Sequence, residues 1–416
     1  MQDNEKKPAL RFKGFTDPWE QRKLEEYLEV SGQKNFEGIY TKEDVLSVSG
    51  DFGIVNQIEF QGRSFAGASV ANYGVVETGD IVYTKSPLKS NPYGIIKANK
   101  GKNGIVSTLY AVYKPKQSAK PEFVQIYFEQ DARMNNYMHP LVNKGAKNDM
   151  KVSAENALKG QIVFPDIKEQ RTISEFFRNL DTLITLHQRK YEKLVNIKKS
   201  MLDKMFPPNG ASVPEIRFKG FTDPWEQRKL GDAFERVVRK NTNNESRLPL
   251  TISAQDGLVD QITYFNNRVA SRDVSNYYLV YNGEFAYNKS TSDGYPFGAV
   301  KRLDWYEKGV LSTLYIVFAL KHPEKDDSDF MTVFYDTDRW HRGVAERAAE
   351  GARNHGLLNI SADDFFDIDT TMPEDKVEQE KIGRLLKKLD TLITLHQRKL
   401  EKLQNIKKSC LEKMFV

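Results

Sequence analysis

Two long segments of this 416-residue chain each occur twice, and this constrains its fold more than any other feature of the sequence. RFKGFTDPWEQRKL runs from Arg11 to Leu24 and again from Arg217 to Leu230. LDTLITLHQRK runs from Leu180 to Lys190 and again from Leu389 to Lys399. The spacing between copies is far longer than the roughly 20 to 50 residues of a solenoid repeat. The sequence therefore predicts two related, domain-sized halves.

Between these identical segments the halves diverge but keep a few landmarks. YGVVETGDIVYTKS from Tyr73 corresponds to YYLVYNGEFAYNKS from Tyr277. GIVSTLY from Gly104 corresponds to GVLSTLY from Gly309. Lys-Gly-Ala-Lys-Asn and Glu-Gly-Ala-Arg-Asn form a third matching pair. Because the stretches between landmarks share little, we predict one scaffold that presents two different recognition surfaces.

The composition is typical of a globular protein. Hydrophobic residues make up 39% of the chain and charged residues 29%, a balance that argues against disorder. Membrane helices need at least about 18 consecutive apolar residues, and no run approaches that length. The first ten residues are too polar for a signal peptide, so we expect a cytoplasmic protein without membrane association. Cys410 is the one cysteine, which rules out a disulfide within the chain.

Each half ends in a segment with the pattern of a coiled coil. Lys168 to Phe206 contains no glycine or proline, and its apolar residues follow two interleaved seven-residue series. The series are Ile173, Leu180, His187, Leu194, Met201 and Phe177, Ile184, Tyr191, Lys198, Met205, with counterparts from Ile382 to Met414. This spacing predicts two long helices of about 39 residues, each roughly 58 Å long. Since the chain order is module, helix, module, helix, we expect the helices to pair antiparallel and to separate the two modules.

Within each module, β-branched and aromatic runs predict strands at Gly79–Lys85, Gly104–Tyr113, Gly283–Asn288 and Val310–Phe318. The segments Glu122–Gln130 and Ser328–Arg347 favour helix. The predicted fold class is thus α+β, with two β-rich mixed domains, a long antiparallel two-helix coiled coil and a pseudo-two-fold internal duplication. The predicted boundaries are residues 1–165 for domain 1, 166–206 for helix 1, 207–216 for the linker, 217–374 for domain 2 and 375–416 for helix 2.

Common catalytic and metal-binding patterns are missing from the sequence. There is no G-x-x-x-x-G-K-[ST] phosphate loop and no H-E-x-x-H motif, and one cysteine cannot form a zinc finger. Glu374-Asp375-Lys376 could end a nuclease carboxylate motif, but such triplets are common in a chain with 57 acidic residues. We therefore predict no catalytic residues, no metal site and no cofactor bound by this chain.

The repeated motifs, taken in order, resemble the specificity subunit of type I restriction-modification enzymes over essentially the whole chain. The motifs are Asp17-Pro18-Trp19-Glu20 with Lys23-Leu24, Gly145 to Lys147, Glu169-Gln170 and the Leu-Asp-x-Leu-Ile run from Leu180, repeated as Asp223-Pro224-Trp225-Glu226 with Lys229-Leu230, Gly351 to Arg353, Glu378-Gln379 and the run from Leu389.

The resemblance implies a non-catalytic DNA-binding subunit. In that family each of two target-recognition domains reads one part of a bipartite, asymmetric sequence in double-stranded DNA, and helices set the gap between the parts. Two methyltransferase (M) subunits and two restriction/translocase (R) subunits are the implied partners. The implied S-adenosylmethionine, ATP and Mg would be bound by those partners, whose complex is an adenine DNA methyltransferase and ATP-dependent endonuclease.

Loops that mix polar, basic and aromatic residues are the candidates for DNA contact, since side-chain hydrogen bonds read bases and cations bind phosphates. The candidates are Lys85, Ser86, Asn91, Tyr93 and Lys97 in the first half, and Asn288, Lys289, Ser290, Thr291, Tyr295, Lys301 and Arg302 in the second. Two alternatives stay open: a two-headed scaffold that binds two proteins and has no DNA affinity, and an enzyme with its own nuclease site.

Overall fold

The computed structural model describes residues 6–85, 91–144, 150–208, 210–253, 256–348 and 356–416. The chain divides into two compact units. Unit 1 comprises Met1–Gln188 and Arg398–Val416, and unit 2 comprises Arg189–Gln397. The domain boundaries predicted from the sequence stay predictions, because this division assigns part of each long helix to each unit. No helix in the described part of the chain is long and apolar enough to cross a membrane.

The first half of the chain contains short strands and helices followed by one long helix. The strands are β1 Glu20–Lys23, β2 Leu28–Val30, β3 Leu46–Ser49, β4 Gly53–Asn56, β5 Gly74–Val76, β6 Ile81–Thr84, β7 Ile95–Ala98, β8 Gly104–Val106, β9 Tyr110–Pro115, β10 Asn143–Lys144, β11 Met150–Lys151 and β12 Gln161–Phe164. The helices are α1 Gln57–Gln61, α2 Pro121–Tyr127, α3 Asp131–Met138 and α4 Ile167–Lys204, with 3-10 turns at Leu24–Glu26, Lys42–Asp44, His139–Leu141 and Asn156–Leu158.

The second half repeats this order of elements, except that β10 and β11 have no counterpart among its described residues. Its strands are β13 Glu226–Lys229, β14 Phe234–Arg236, β15 Leu250–Ser253, β16 Gly257–Asp260, β17 Tyr278–Tyr281, β18 Phe285–Asn288, β19 Ala299–Arg302, β20 Lys308–Leu311, β21 Ile316–Leu320 and β22 Asp369–Met372. Its helices are α5 Leu230–Ala233, α6 Gln261–Phe265, α7 Ser328–Phe334, α8 His341–Arg347, α9 Ala362–Phe366 and α10 Lys376–Lys413.

Each unit is built on a four-stranded antiparallel sheet of the same topology. The strand order is β2-β9-β6-β7 in unit 1 and β14-β21-β18-β19 in unit 2. Three further antiparallel pairs also correspond: β1-β12 with β13-β22, β3-β4 with β15-β16, and β5-β8 with β17-β20. The predicted α+β fold with an internal duplication is therefore confirmed.

Two predicted strands are wrong in their extent. Gly104–Tyr113 and Val310–Phe318 are each divided into two strands that belong to different sheets. The break falls at the identical Ser-Thr-Leu-Tyr sequence, where a serine hydroxyl and carbonyl accept hydrogen bonds from the next backbone amides and form a turn. The predicted helix Glu122–Gln130 is confirmed as α2, and α3 follows it beyond the predicted segment. The predicted helix Ser328–Arg347 is interrupted and forms the two shorter helices α7 and α8.

The two long helices are confirmed, at 38 residues each. In unit 1, Phe177 of α4 packs on Phe415 beyond α10, and Asp181 forms an ion pair with Lys407. Residues later in α4 therefore contact residues earlier in the α10 segment, so these two segments run antiparallel. In unit 2, Lys198 of α4 pairs with Asp390 of α10. The predicted seam positions are buried or partly buried along both helices.

The closing Lys-Met-Phe motif of each half packs into the core of the module encoded by the other half. Phe415 lies among Trp19, Phe123 and Tyr127 in unit 1, with ring centroids 5.7 to 6.1 Å apart. In unit 2, Phe206 packs on Trp225 at 5.8 Å and on Phe330 at 5.5 Å. Aromatic burial of this size contributes several kcal/mol, so each core depends on the end of a long helix from the other half.

The repeated opening segment fastens each module to the first turn of a long helix. Arg11 donates two hydrogen bonds to Glu169, at 2.8 and 2.7 Å, and Arg217 does the same to Glu378, at 2.6 and 2.8 Å. The neighbouring glutamine of each helix is also buried and bonded to module backbone, as in the 2.9 Å bond from Lys120 N to Gln170 Oε1. Arg11 and Arg217 of the repeated opening segment therefore have the same packing role in the two units.

Candidate nucleic-acid interface

In each unit, a loop that joins the inner strand of the sheet to its edge strand contains most of the predicted DNA-contacting residues. The loop follows β6 in unit 1 and β18 in unit 2. A glycine with positive φ closes it, Gly94 at 82° and Gly298 at 76°. A Cβ atom at either position would lie far inside contact distance of the carbonyl oxygen of Thr84 or Asn288, so only glycine is compatible with this closure.

A buried tyrosine of the inner strand forms a hydrogen bond with the backbone of the same loop. The Tyr83 hydroxyl donates to the carbonyl of Tyr93 at 2.6 Å, and the Tyr287 hydroxyl donates to the carbonyl of Phe297 at 2.9 Å. Burial raises the pKa of both tyrosines, so they act as neutral donors. Both loops are therefore held at equivalent points although their sequences differ.

In unit 1 the five predicted residues fall into different environments. Lys85 is partly exposed at the end of β6, and Tyr93 is partly exposed with its ring 6.0 Å from that of His139. Asn91 is buried and its amide donates to Asp131 at 2.7 Å. Lys97 is buried in an ion pair described below. Ser86 lies outside the described residues.

In unit 2 the loop is described completely and contacts a second segment. Thr291 donates from its amide to the carbonyl of Gly356 at 2.7 Å, and Leu358 donates to the carbonyl of Lys289 at 2.9 Å. Ser290 and Thr291 are exposed, whereas Asn288, Lys289 and Tyr295 are partly exposed. The segment that pairs with the loop follows the Gly351–Arg353 motif. Neither this motif nor its counterpart at Gly145–Lys147 lies among the described residues.

The last two candidates of unit 2 are engaged in ion pairs within the unit. Arg302 donates to Asp304 at 2.6 Å, to Ser328 at 2.7 Å and to Asp329 at 2.8 Å, and its side chain is 12% exposed. Lys301 pairs with Asp336 at 2.9 Å. DNA contact by the twelve residues stays a prediction. The side chains of Asn91, Lys97, Lys301 and Arg302 are engaged in hydrogen bonds or ion pairs within their own units.

Lys97 and Lys301 belong to a charge network that occurs in both units. In unit 1, Glu129 lies 3.9 Å from Lys97 and 3.0 Å from Lys407, which also contacts Asp181 at 2.9 Å. The counterpart in unit 2 joins Lys301 to Asp336 at 2.9 Å, Asp336 to Lys198 at 3.0 Å and Lys198 to Asp390 at 2.6 Å. Each network thus connects a sheet lysine, a module carboxylate and both long helices.

The networks shift the pKa values of the carboxylates at their centres. Burial would raise the pKa of Asp336, but Lys301 and Lys198 lower it below its ordinary value of 3.8. Burial would likewise raise the pKa of Glu129, and Lys407 and Lys97 lower it instead. For Lys97, burial and the charge of Lys407 lower the pKa. Both carboxylates are therefore charged at neutral pH.

We expect Asp336→Asn to destabilise unit 2 by about 1–2 kcal/mol at pH 7. This loss is smaller than for a fully buried ion pair, because the Asp336 side chain is 20% exposed to solvent. A carboxylate with a depressed folded-state pKa stabilises above its unfolded pKa and loses that contribution as pH falls through the folded value. The deficit should therefore be present at pH 7 and disappear on acidification below about pH 4. Hydrogen exchange of peptides covering 328–347 in urea would measure it.

The matched control is Glu307→Gln, which removes an exposed carboxylate from the same unit. It should leave the exchange midpoint unchanged. An equal deficit for Asp336→Asn at pH 7 and at pH 3 would contradict a role for the carboxylate charge.

Several residues that organise this interface are not apparent from sequence patterns. Glu129 and Asp336 differ in type, and the signal that could have identified them is their equal spacing from an aligned phenylalanine and aspartate, Phe123 and Asp131 in one half and Phe330 and Asp338 in the other. Arg133 and Arg339 donate to terminal carbonyls of α10 and α4, at 3.2 Å to Leu411 O and 2.9 Å to Asp203 O. The position of Arg133, shortly after the predicted helix Glu122–Gln130, could have suggested such capping, whereas Arg339 lies inside the predicted Ser328–Arg347 helix and gave no such signal.

The chain shares its fold with a solved S subunit. That protein, the S subunit of a type I restriction-modification system from M. genitalium, superposes with a TM-score of 0.59 over 99% of both chains at 12% identity. The fold expected from the repeated motifs is thereby confirmed.

Two other solved chains align less closely. The HsdS subunit from Thermoanaerobacter tengcongensis has a TM-score of 0.41 and 14% identity over 95% of this chain and 96% of its own. A chain from a structure addressing complex assembly and conformational transition of the type I R-M system has a TM-score of 0.42 and 14% identity over 95% and 97%. The sequence matches no protein-family model, and no curated protein is similar to it.

Proposed function

We propose that this chain is the DNA-reading specificity subunit of a type I restriction-modification complex. The observation that supports this most strongly is the duplication itself: two units keep the same sheet, loop closure and helix anchors, while their loops differ in sequence. Such an arrangement suits one mode of recognition applied to two different sequences. Each unit would read one part of a bipartite, asymmetric site in double-stranded DNA.

The long helices would set the gap between the two parts of the site. Successive turns of a duplex are roughly 34 to 36 Å apart, so two readers can act together only at a separation that the protein fixes. The helices would also bind two methyltransferase subunits, and two restriction/translocase subunits would join the complex. S-adenosylmethionine, ATP and Mg would be bound by those subunits, and this chain would be non-catalytic and cytoplasmic.

Lys289 is the residue we expect to contact phosphate most directly among the described loop residues. It is partly exposed at the start of the unit 2 loop, and its ammonium lies 3.4 Å from the carbonyl of Ile360, a contact it can exchange for phosphate. Lys289→Ala should weaken duplex binding and reduce the slope of log affinity against log salt by about 1. Fluorescence titrations at several salt concentrations would measure both quantities.

Lys321→Ala is the matched control, because this exposed lysine follows β21 at the opposite end of the same sheet. It should leave affinity and salt slope unchanged. If neither the free chain nor its complex with a methyltransferase binds duplex DNA, the protein-binding scaffold becomes the better hypothesis. If the chain does bind duplex DNA, mapping methylated adenines in the host genome would identify both parts of the site.

A further inference from the structure

An identical four-residue turn presents an exposed leucine in each unit. The turns are Ser107–Tyr110 and Ser312–Tyr315, and Leu109 and Leu314 are 63% and 61% exposed. One exposed leucine on a protein surface is ordinary. The same leucine, equally exposed at the same place in two units whose surfaces have diverged, requires a common cause, and core packing does not supply one.

The turn holds the leucine in a defined position. In unit 1, the amide of Leu109 donates to the Ser107 hydroxyl at 3.4 Å and the amide of Tyr110 donates to the Ser107 carbonyl at 3.1 Å. The equivalent bonds to Ser312 measure 3.3 and 3.2 Å. The two side chains are therefore presented by the same backbone geometry, without a glycine.

Each leucine lies beside the lysine that begins the candidate DNA-binding loop. Lys85 donates from its amide to the carbonyl of Leu109 at 3.4 Å. In unit 2, the β18-β21 pairing ends at Tyr287 with Ile316, so Lys289 and Leu314 each lie two residues beyond the same end of that strand pair. A cation, a serine and threonine hydroxyl and an apolar side chain thus occur together at one end of both sheets.

We propose that Leu109 and Leu314 are wedges that insert between base pairs of the bound duplex. The proposal rests on the function proposed above and specifies how that site contacts DNA. Because the two units are expected to read different sequences, a side chain common to both must meet a feature that all duplexes share. Leucine is among the residues that other DNA-binding proteins insert between base steps, and the adjacent lysine supplies the phosphate contact.

A shared protein partner would be the other explanation, but it suits this surface less well. Stable protein interfaces bury about 800 Å² on each partner, and their centres are depleted in lysine. The turn offers one apolar side chain next to a lysine and two hydroxyl-bearing residues. One apolar side chain beside a cation is sufficient for insertion between two base pairs.

The test uses the full chain and a duplex of mixed sequence of about 40 base pairs, roughly four helical turns, with a fluorophore at each end. Leu109→Ala and Leu314→Ala should each weaken binding about tenfold, as expected when an apolar contact of about 1.4 kcal/mol is lost. The salt slope should not change, since no charge is removed. Energy transfer should report a bend for the unaltered chain and a smaller one for the double variant.

Leu109→Met, which keeps an apolar side chain of similar size, should restore binding and bending, and Leu10→Ala, at an exposed leucine of the same unit, should change neither. If the unaltered chain binds while the double variant binds and bends DNA equally well, the wedge proposal is wrong and the proposed function stands. Loss of methyltransferase binding with unchanged DNA affinity would assign the turn to a protein interface. Failure of the unaltered chain to bind any duplex, even with a methyltransferase, would overturn both proposals.

Discussion

Phe206→Ala should destabilise unit 2, and Phe415→Ala should destabilise unit 1, by about 3–5 kcal/mol each. Phe206 is 1% exposed and packs on Trp225 and Phe330, whereas Phe415 is 5% exposed and packs on Trp19 and Phe123. Each substitution removes a ring from a closely packed aromatic cluster and leaves a cavity. Hydrogen exchange resolved along the chain would show which module loosens.

The direction of the effect is the decisive part of this prediction. From sequence order alone, Phe206 would be expected to support the first module, which precedes it in the chain. Phe52→Ala provides a control, because that ring is 68% exposed, and it should leave exchange in both cores unchanged. Faster exchange around Trp19 in Phe206→Ala, with Trp225 unaffected, would contradict the packing described here.

Arg217→Met should cost unit 2 about 3 kcal/mol, the loss expected when one partner of a buried ion pair is removed. Glu378 is 1% exposed and receives two hydrogen bonds from the guanidinium, so the substitution leaves a buried carboxylate without its counter-charge. Arg11→Met should have the same effect on unit 1 through Glu169. Urea unfolding followed by hydrogen exchange in the first turn of α4 or α10 would measure each loss.

Arg22→Met is the control within the same repeated segment, since Arg22 is 47% exposed and pairs with the exposed Glu20. We expect little change in stability from it. A combined Arg217→Met and Glu378→Leu variant should recover part of the stability lost in Arg217→Met, because it removes the buried charge. If the double variant is less stable than Arg217→Met, the cost arises from lost packing of the arginine stem.

The fold was predictable from the sequence wherever a pattern extends over many residues. The 4-3 spacing from Lys168 to Phe206 predicted a long helix, and the helix in the structure begins at Ile167 and ends at Lys204. The repeated segments predicted the duplication, and the β-branched runs predicted the inner strands β6 and β18. These features depend on local periodicity or on direct comparison of two stretches of the same chain, both of which a sequence displays.

The features that the sequence did not reveal depend on contacts between distant residues. Lys97 and Lys301 are of a residue type that often contacts DNA phosphates. Their carboxylate partners, Glu129 and Asp336, lie more than thirty positions later in the sequence. The turn at Leu109 was hidden within a β-branched run that continues on both sides of it. Propensity reports how well each residue suits a strand, whereas the change from one sheet to another is decided by tertiary packing.

The bonds that fasten each module to the long helices have a consequence for how such a protein can change. They involve the guanidinium of Arg11, the indole of Trp19 and the carboxylate of Glu129, none of which lies in the loop after β6. The second unit uses the same kinds of group with an aspartate in place of the glutamate. A foreign module that supplied these groups would keep the same contacts with the long helices whatever its loop contained. Under the function proposed above, replacing one whole module would therefore change the sequence that is read while the helices stay as they are.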